Sequence, residues 1–432
     1  YVGFGVSFRA ISQCFYIFSC VRLAFTSVFE IGNAGTGGVI SIISQSGNID
    51  TDSNLDSFSF SFLRENNARA GGDIIISAPA GYIQGRNNRL LAFSAVQDRG
   101  ESGEGGNVLL RAGNTLSGLE IVTLSSTDES GSVQIEGLDD LLIQDVRLTT
   151  TAQVEFLLGG QTIQLDTAGF GPSGNVFVTS AGNLTFNSVD IQANANGNTP
   201  AGDIDIDSPG QITFNNSRID SNTNSTGTAG NISITTGTGI TLHGNSGIFA
   251  RTARDGQGGD IQINTPYLTF ANGGEIAAST FGQGNGGSLT IQNNGSLLIQ
   301  GDGRLTVEAQ GVSSGRAGVL NVQASSLELN DCVELFASSE SSQGGGDVEI
   351  TIDNLFLMRD GSFINAESTN PNAGNGGNIF IAISDGFLIA IPGENSDIVA
   401  NAVGGDGGRV EISALDIFGF TEQDRVATDV LR

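Results

Sequence analysis

A six-position phrase governs this chain: a small residue, a glycine, any residue, an aliphatic, any residue, an aliphatic. Its glycine falls at Gly38, Gly72, Gly106, Gly131, Gly174, Gly202, Gly230, Gly259, Gly287, Gly318, Gly346, Gly377 and Gly408. The thirteen copies are spaced 34, 34, 25, 43, 28, 28, 29, 28, 31, 28, 31 and 31 residues apart. A recurrence of this length marks a stacked array in which each repeat is one supersecondary unit. The two aliphatic positions hold Ile, Val or Leu in every copy, and the residue between them is polar in nine of the thirteen. Apolar–polar–apolar is the period of a strand with one buried face, and both that period and the glycine density exclude helix.

Each unit carries two further short strands. The second reads "LTF" at 184–186, "ITF" at 212–214, "ITL" at 240–242 and "LTF" at 268–270; the third contains Ile276-Ala277-Ala278. Three strands closing every 28–31 residues, separated by Gly and Asn turns, make one coil of a single-stranded parallel β-helix. The expected fold is all-β, a β-solenoid of about thirteen coils forming a rod. The paired small residues are read as supplying positive φ at sharp turns. Asn or Asp follows the marked Gly in eight copies, and these side chains are expected to form a ladder from coil to coil. Inside, Phe186, Phe214, Leu242, Phe270, Ile299, Leu329 and Leu357 are expected to form one apolar column.

The repeat region is placed at 31–415, irregular between 131 and 174, where "GGQTIQLDT" (159–167) is read as a slipped copy within an irregular coil that carries an insertion. Residues 1–30 show no repeat and are read as a cap, a leader or a fragment edge; 416–432 are read as a truncated tail. No run of 18 apolar residues occurs, so no transmembrane helix is expected.

Glycine reaches 63 of 432 residues, but 38% hydrophobic content argues for a packed core rather than disorder. All 18 basic residues are arginines against 46 acidic ones, for a net charge of −28. Such a surface repels nucleic acid, which is excluded as a partner, and leaves room for weak surface calcium binding.

No chemistry assembles from the remaining residues, so no catalytic, cofactor-binding or metal site is assigned. His243 is the single histidine and is read as a turn or surface residue. Cys14, Cys20 and Cys332 fit no zinc spacing; Cys332 is read as a small buried hydrophobe. Asp203, Asp205 and Asp207 form the densest acidic strand, yet their expected column neighbours (Val176, Phe177, Ser233, Gln262) supply no second carboxylate. The threonines at 185, 213, 241 and 269 are explained by strand preference and cross-strand pairing rather than by ice binding.

The stretches "GQGGDIQINTPYLTFANGGEIAASTFGQGNGGSLTIQ" (256–292) and "GDGGRVEISALDIFGF" (405–420) resemble repeats of filamentous-haemagglutinin-like exoproteins, especially the large cyanobacterial type. The resemblance spans about 31–420 and implies a right-handed parallel β-helix. It also implies export by two-partner secretion through an outer-membrane transporter, an extracellular or cell-surface location, and contacts with cell-surface or matrix polysaccharide. The family's amino-terminal secretion domain, with its NPNG-type motif, is not found here. The expected function is therefore a non-enzymatic, adhesin-like rod mediating adhesion or aggregation. A polysaccharide-acting, pectate-lyase-like β-helix enzyme and a passive surface-layer or matrix element are the alternatives.

Overall fold

In a computed structural model of the chain, the described residues are 8–12, 24–30, 36–52, 54–61, 67–96, 101–150, 154–158, 161–165, 171–195, 198–271, 273–372 and 374–421. They contain no helix, and their parallel strands stack as a β-solenoid of about 11 turns. That is slightly fewer than the thirteen phrases, since a phrase marks only where a coil begins. The phrase at Gly408 opens a coil with two described strands, Val410–Ser413 and Asp416–Phe418, rather than three. Contacts divide the chain into two compact units: unit 1 is 1–238 with 246–259, and unit 2 is 239–245 with 260–432.

In unit 1 the aliphatics two residues after each marked glycine stand in one register. Ile40 pairs with Ile74, then follow Val108, Val133, Val176, Ile204 and Ile232. The third strands build a second column from Leu55 through Leu90, Ile121, Leu148, Ile191 and Ile219 to Ile248. In unit 2 the corresponding first-strand column runs Ile261, Leu289, Leu320, Val348, Ile379 and Val410. Like stacks on like, so every coil offers the next a matching apolar shelf; each buried aliphatic contributes roughly 1.5–3 kcal/mol. Phe58–Phe93 and Phe186–Phe214 stack with ring centroids 4.7 and 4.8 Å apart. Two strands within residues 1–30 also join the sheet: Phe8–Ser12 pairs with Ile40–Ser44, and Ala24–Glu30 with Leu55–Ser61.

The marked glycines are required for a different reason from the one expected. None of them has positive φ. Instead they sit directly over one another: a Cβ on Gly202 would lie 2.0 Å from the Gly174 carbonyl oxygen, and one on Gly377 only 1.6 Å from that of Gly346. Close approach of stacked backbones, not turn dihedrals, fixes the residue type. The non-glycine left-handed corners lie between second and third strands, among them Asp145, Ser188 and Asn216 in unit 1 and Asp331, Cys332 and Asp360 in unit 2.

The Asn/Asp ladder forms as expected. The backbone N–H of Asn107 donates to Asp73 Oδ1 (2.9 Å), that of Ser132 to Asn107 (2.9 Å), that of Asp203 to Asn175 (2.8 Å) and that of Asn231 to Asp203 (2.7 Å). In unit 2, Ser288 donates to Asp260 (2.8 Å) and Asn378 to Asp347 (3.0 Å). Each side chain thus satisfies a main-chain donor of the following coil.

Several expectations need correction. Leu357 leaves the apolar column, because the strand Asp347–Met358 carries one extra residue against Val319–Asn330. Phe356 and Met358 point inward instead, and Leu329 pairs with Met358. Ile299 pairs with Leu268 rather than Phe270, whose ring packs against Gly303. The stretch 159–167 begins no coil: Val154–Leu158 and Gln161–Leu165 form an antiparallel hairpin of their own, while Val133 pairs directly with Val176 across the insertion. Cys332 is exposed, since its left-handed corner turns the side chain outward, and its Sγ lies 3.3 Å from the Asp360 carbonyl oxygen. Cys14 and Cys20 lie outside the described residues.

Candidate binding surface

Most third strands are three residues long with a buried aliphatic in the middle, as Ile219 is in Arg218–Asp220. The residue before it faces outward, and the column these residues build in unit 1 alternates in charge. Arg89 pairs with Glu120, Glu120 with Arg147, Arg147 with Asp190 and Asp190 with Arg218. Unit 2 repeats the device with Glu275, Arg304 and Glu334. Opposite charges directly across paired strands stabilise by a few tenths to about 1 kcal/mol, whereas like charges would oppose stacking.

In unit 1 the face is densest around Phe249. The guanidinium carbons of Arg218 and Arg251 lie 4.1 and 4.0 Å from its ring centroid, and the ring is only 6% exposed. Arg218 Nε donates to Asp220 Oδ2 at 2.5 Å, and Asp220 is 3% exposed. Burial pushes the Asp220 carboxyl above its ordinary range; Arg218 opposes that shift and Asp190 adds to it. Gln192 Nε2 donates to Asp190 Oδ2 at 2.7 Å. Asp190 Oδ1 and Asp220 Oδ1 are both buried and accept no hydrogen bond. Nearer the first phrase, Asp56 pairs with Arg89 at 3.4 Å, and burial again raises its carboxyl against the pull of the arginine.

Unit 2 uses its carboxylates differently. Glu308 is 8% exposed and accepts from Thr306 Oγ1 (2.9 Å), Gln310 Nε2 (3.0 Å) and Ser338 Oγ (2.5 Å). Glu367 accepts from Asn365 (3.2 Å) and Asn401 (3.3 Å). Arg304 lies over Phe336 at 4.3 Å, and Phe336 meets Phe363 edge-on at 5.8 Å. Burial raises the Glu334 carboxyl; Arg304 lowers it, and Asp302 and Glu308 raise it further.

The residues weighed from the sequence fall elsewhere. His243 is half-buried at the end of the strand Gly239–His243. Asp203, just before the first strand Ile204–Ser208, and Asp205 and Asp207 on it are exposed, and Asp205 stands between Phe177 and Ser233. Thr185 pairs with Thr213, and Thr241 with Thr269, as ordinary cross-strand neighbours. Among the described residues no three His, Cys, Asp or Glu side chains converge to hold a metal, and no helix is long and apolar enough to cross a membrane. The third-strand face was not anticipated, although "RLT" at 147–149, "RID" at 218–220 and "RLT" at 304–306 announce it. Comparison with known proteins gives no matching family model, no matching curated protein and no matching solved structure.

Proposed function

We propose that this chain is a secreted or cell-surface, non-enzymatic β-helical protein of adhesin type, which makes contacts with cell-surface or matrix polysaccharide. The observation that carries the reading is the repetition of outward polar ladders on coil after coil, with few groups left over for chemistry. A catalyst gathers unlike, perturbed groups in one concave place. Here the buried Glu308 and the half-buried Glu367 spend their oxygens on neighbouring Arg, Ser, Thr, Gln and Asn donors rather than standing poised as acid or base. A net charge of −28 keeps such a protein dispersed and makes contact with acidic surfaces dependent on screening. Export through an outer-membrane transporter belongs to the same proposal and rests on the resemblance to filamentous-haemagglutinin-like repeats.

The test is adhesion of the purified chain to whole cells and to immobilised surface polysaccharide. Binding that strengthens with calcium or raised salt is expected, with no release of oligosaccharides from pectin or alginate. Cleavage of either glycan would sink the reading, and so would failure to bind any cell surface at any salt concentration.

A further inference from the structure

The two unpaired carboxylate oxygens of unit 1 set its third face apart. A buried acceptor without a donor costs about 1–3 kcal/mol, so such an oxygen calls for an explanation. Asp190 and Asp220 are diagonal neighbours on adjacent coils, because Asp190 pairs with Arg218 two residues before Asp220. One oxygen of each is already used, by Gln192 and Arg218 respectively. Asn222 lies near enough to favour the charged form of Asp220, yet no hydrogen bond of normal geometry reaches Oδ1. Arg218 is 48% exposed, and the next residue in its column is Gly247, which places nothing over it.

Charge narrows what the missing donor is. Arg147, Arg218 and Arg251 are balanced by Glu120, Asp190 and Asp220, and among the described residues no three His, Cys, Asp or Glu side chains converge, which disfavours a metal cation. The chain as a whole is strongly acidic, which disfavours a polyanion. What fits is a neutral ligand with many O–H groups, each able to donate to a carboxylate and accept from a guanidinium.

We propose that the third face of unit 1 at Asp190, Arg218, Asp220 and Arg251 is a subsite for a neutral glycan, whose hydroxyls donate to Asp190 Oδ1 and Asp220 Oδ1 and accept from the two arginines. The proposal rests on the polysaccharide-contact reading above and specifies its ligand. Unit 2 provides the internal contrast, since the acidic residues at equivalent depth there already have protein donors.

Affinity electrophoresis in native gels containing dextran, a mixed-linkage β-glucan, xyloglucan or galactomannan tests it, with polygalacturonate and alginate in parallel. At least one neutral glycan should retard the chain, independently of salt. Asp190→Ala and the isosteric Asp220→Asn should each weaken that retardation at least tenfold, while Asp205→Ala, on a first strand, leaves it unchanged. Circular dichroism melts of each variant establish that the fold is kept; Asp190, whose side chain is 37% exposed, keeps the test decisive if the Asp220 variant melts early. No retardation by any neutral glycan overturns the subsite, and so does retardation that both variants retain. Whole-cell adhesion measured on the same samples separates the two readings: cells bound without any neutral glycan retire the subsite and leave the adhesin reading standing.

Discussion

The third-strand faces of units 1 and 2 start from one plan and end in different states. Both set an outward charge before an inward aliphatic, and both lay a guanidinium over a phenylalanine. In unit 2 the buried acid, Glu308, is held by four side-chain donors from its own and the next coil, Arg304 among them. In unit 1 the buried acid, Asp220, has one firm donor and an idle oxygen. The difference is one of length and neighbours. Glu308, two residues past its third strand, reaches Ser338 on the next coil, whereas the shorter Asp220, the last residue of its third strand, faces the Phe249 ring on the next coil. The same scaffold thus satisfies its buried carboxylates with protein donors in one unit and leaves two carboxylate oxygens idle in the other.

The comparison concerns outward residues only, so inward ones should behave alike in both units. Ile219→Asp in unit 1 and Ile364→Asp in unit 2 each place an unpaired charge in a column with no exposure. A loss of about 3–5 kcal/mol is expected from each in urea unfolding. A loss below about 1 kcal/mol from either would show that the assigned inward register is wrong.

Outward substitutions should then split the units. Glu308→Ala strands four donors, and about 1–3 kcal/mol should be lost. Asp220→Asn removes a desolvated charge that lacks a second partner, and stability should change by less than about 1 kcal/mol, in either direction. Equal losses would mean that the Asp220 carboxylate is as well satisfied as Glu308, and the contrast between the faces would collapse.

Acid titration sharpens the same point. Burial raises Asp56 and Asp220 above the ordinary carboxyl value of 3.8. Where the folded value is the higher one, the native state binds more protons than the unfolded chain through that window. Stability therefore falls as pH rises from 3.8 through the raised values, and is greatest below it. The double variant Asp56→Asn/Asp220→Asn should lose this share of the slope in pH-dependent thermal melts. A slope identical to that of the parent chain would remove desolvation as the dominant influence on these two groups.

How far the sequence anticipates all this depends on how many residues define each element. First strands were legible because a rigid glycine anchor precedes two aliphatics at fixed distance; of those positions only Ile42, Val410 and Ile412 are not buried. The outward face of the third strands was not, because most of these strands are three residues long, which is too little for a period. Their charge alternation is invisible along the chain, since Arg147 and its partner Asp190 are separated by a hairpin insertion. Leu357 failed for a related reason: one extra residue in Asp347–Met358 exchanges the inward and outward sets, and nothing in "DNLFLM" marks where it enters.

The smallest expected effect is the control for the whole comparison. Ser233 lies on a first strand of unit 1, half-exposed, opposite Asp205 and beside the fully buried Ile234. Its hydroxyl favours the charged form of Asp205, whose carboxyl is raised first by burial and then by Asp203. Asp205 is largely open to water, so solvent screens that interaction. Ser233→Ala should therefore cost less than about 0.5 kcal/mol in urea unfolding at neutral pH, while Ile234→Asp, one residue on, costs several. It should also leave glycan retardation untouched, because the first-strand face contributes nothing to the proposed subsite. If Ser233→Ala matched Asp190→Ala in weakening glycan binding, the ligand would be recognised by the solenoid surface at large. The distinction between the two third-strand faces would then carry no functional weight.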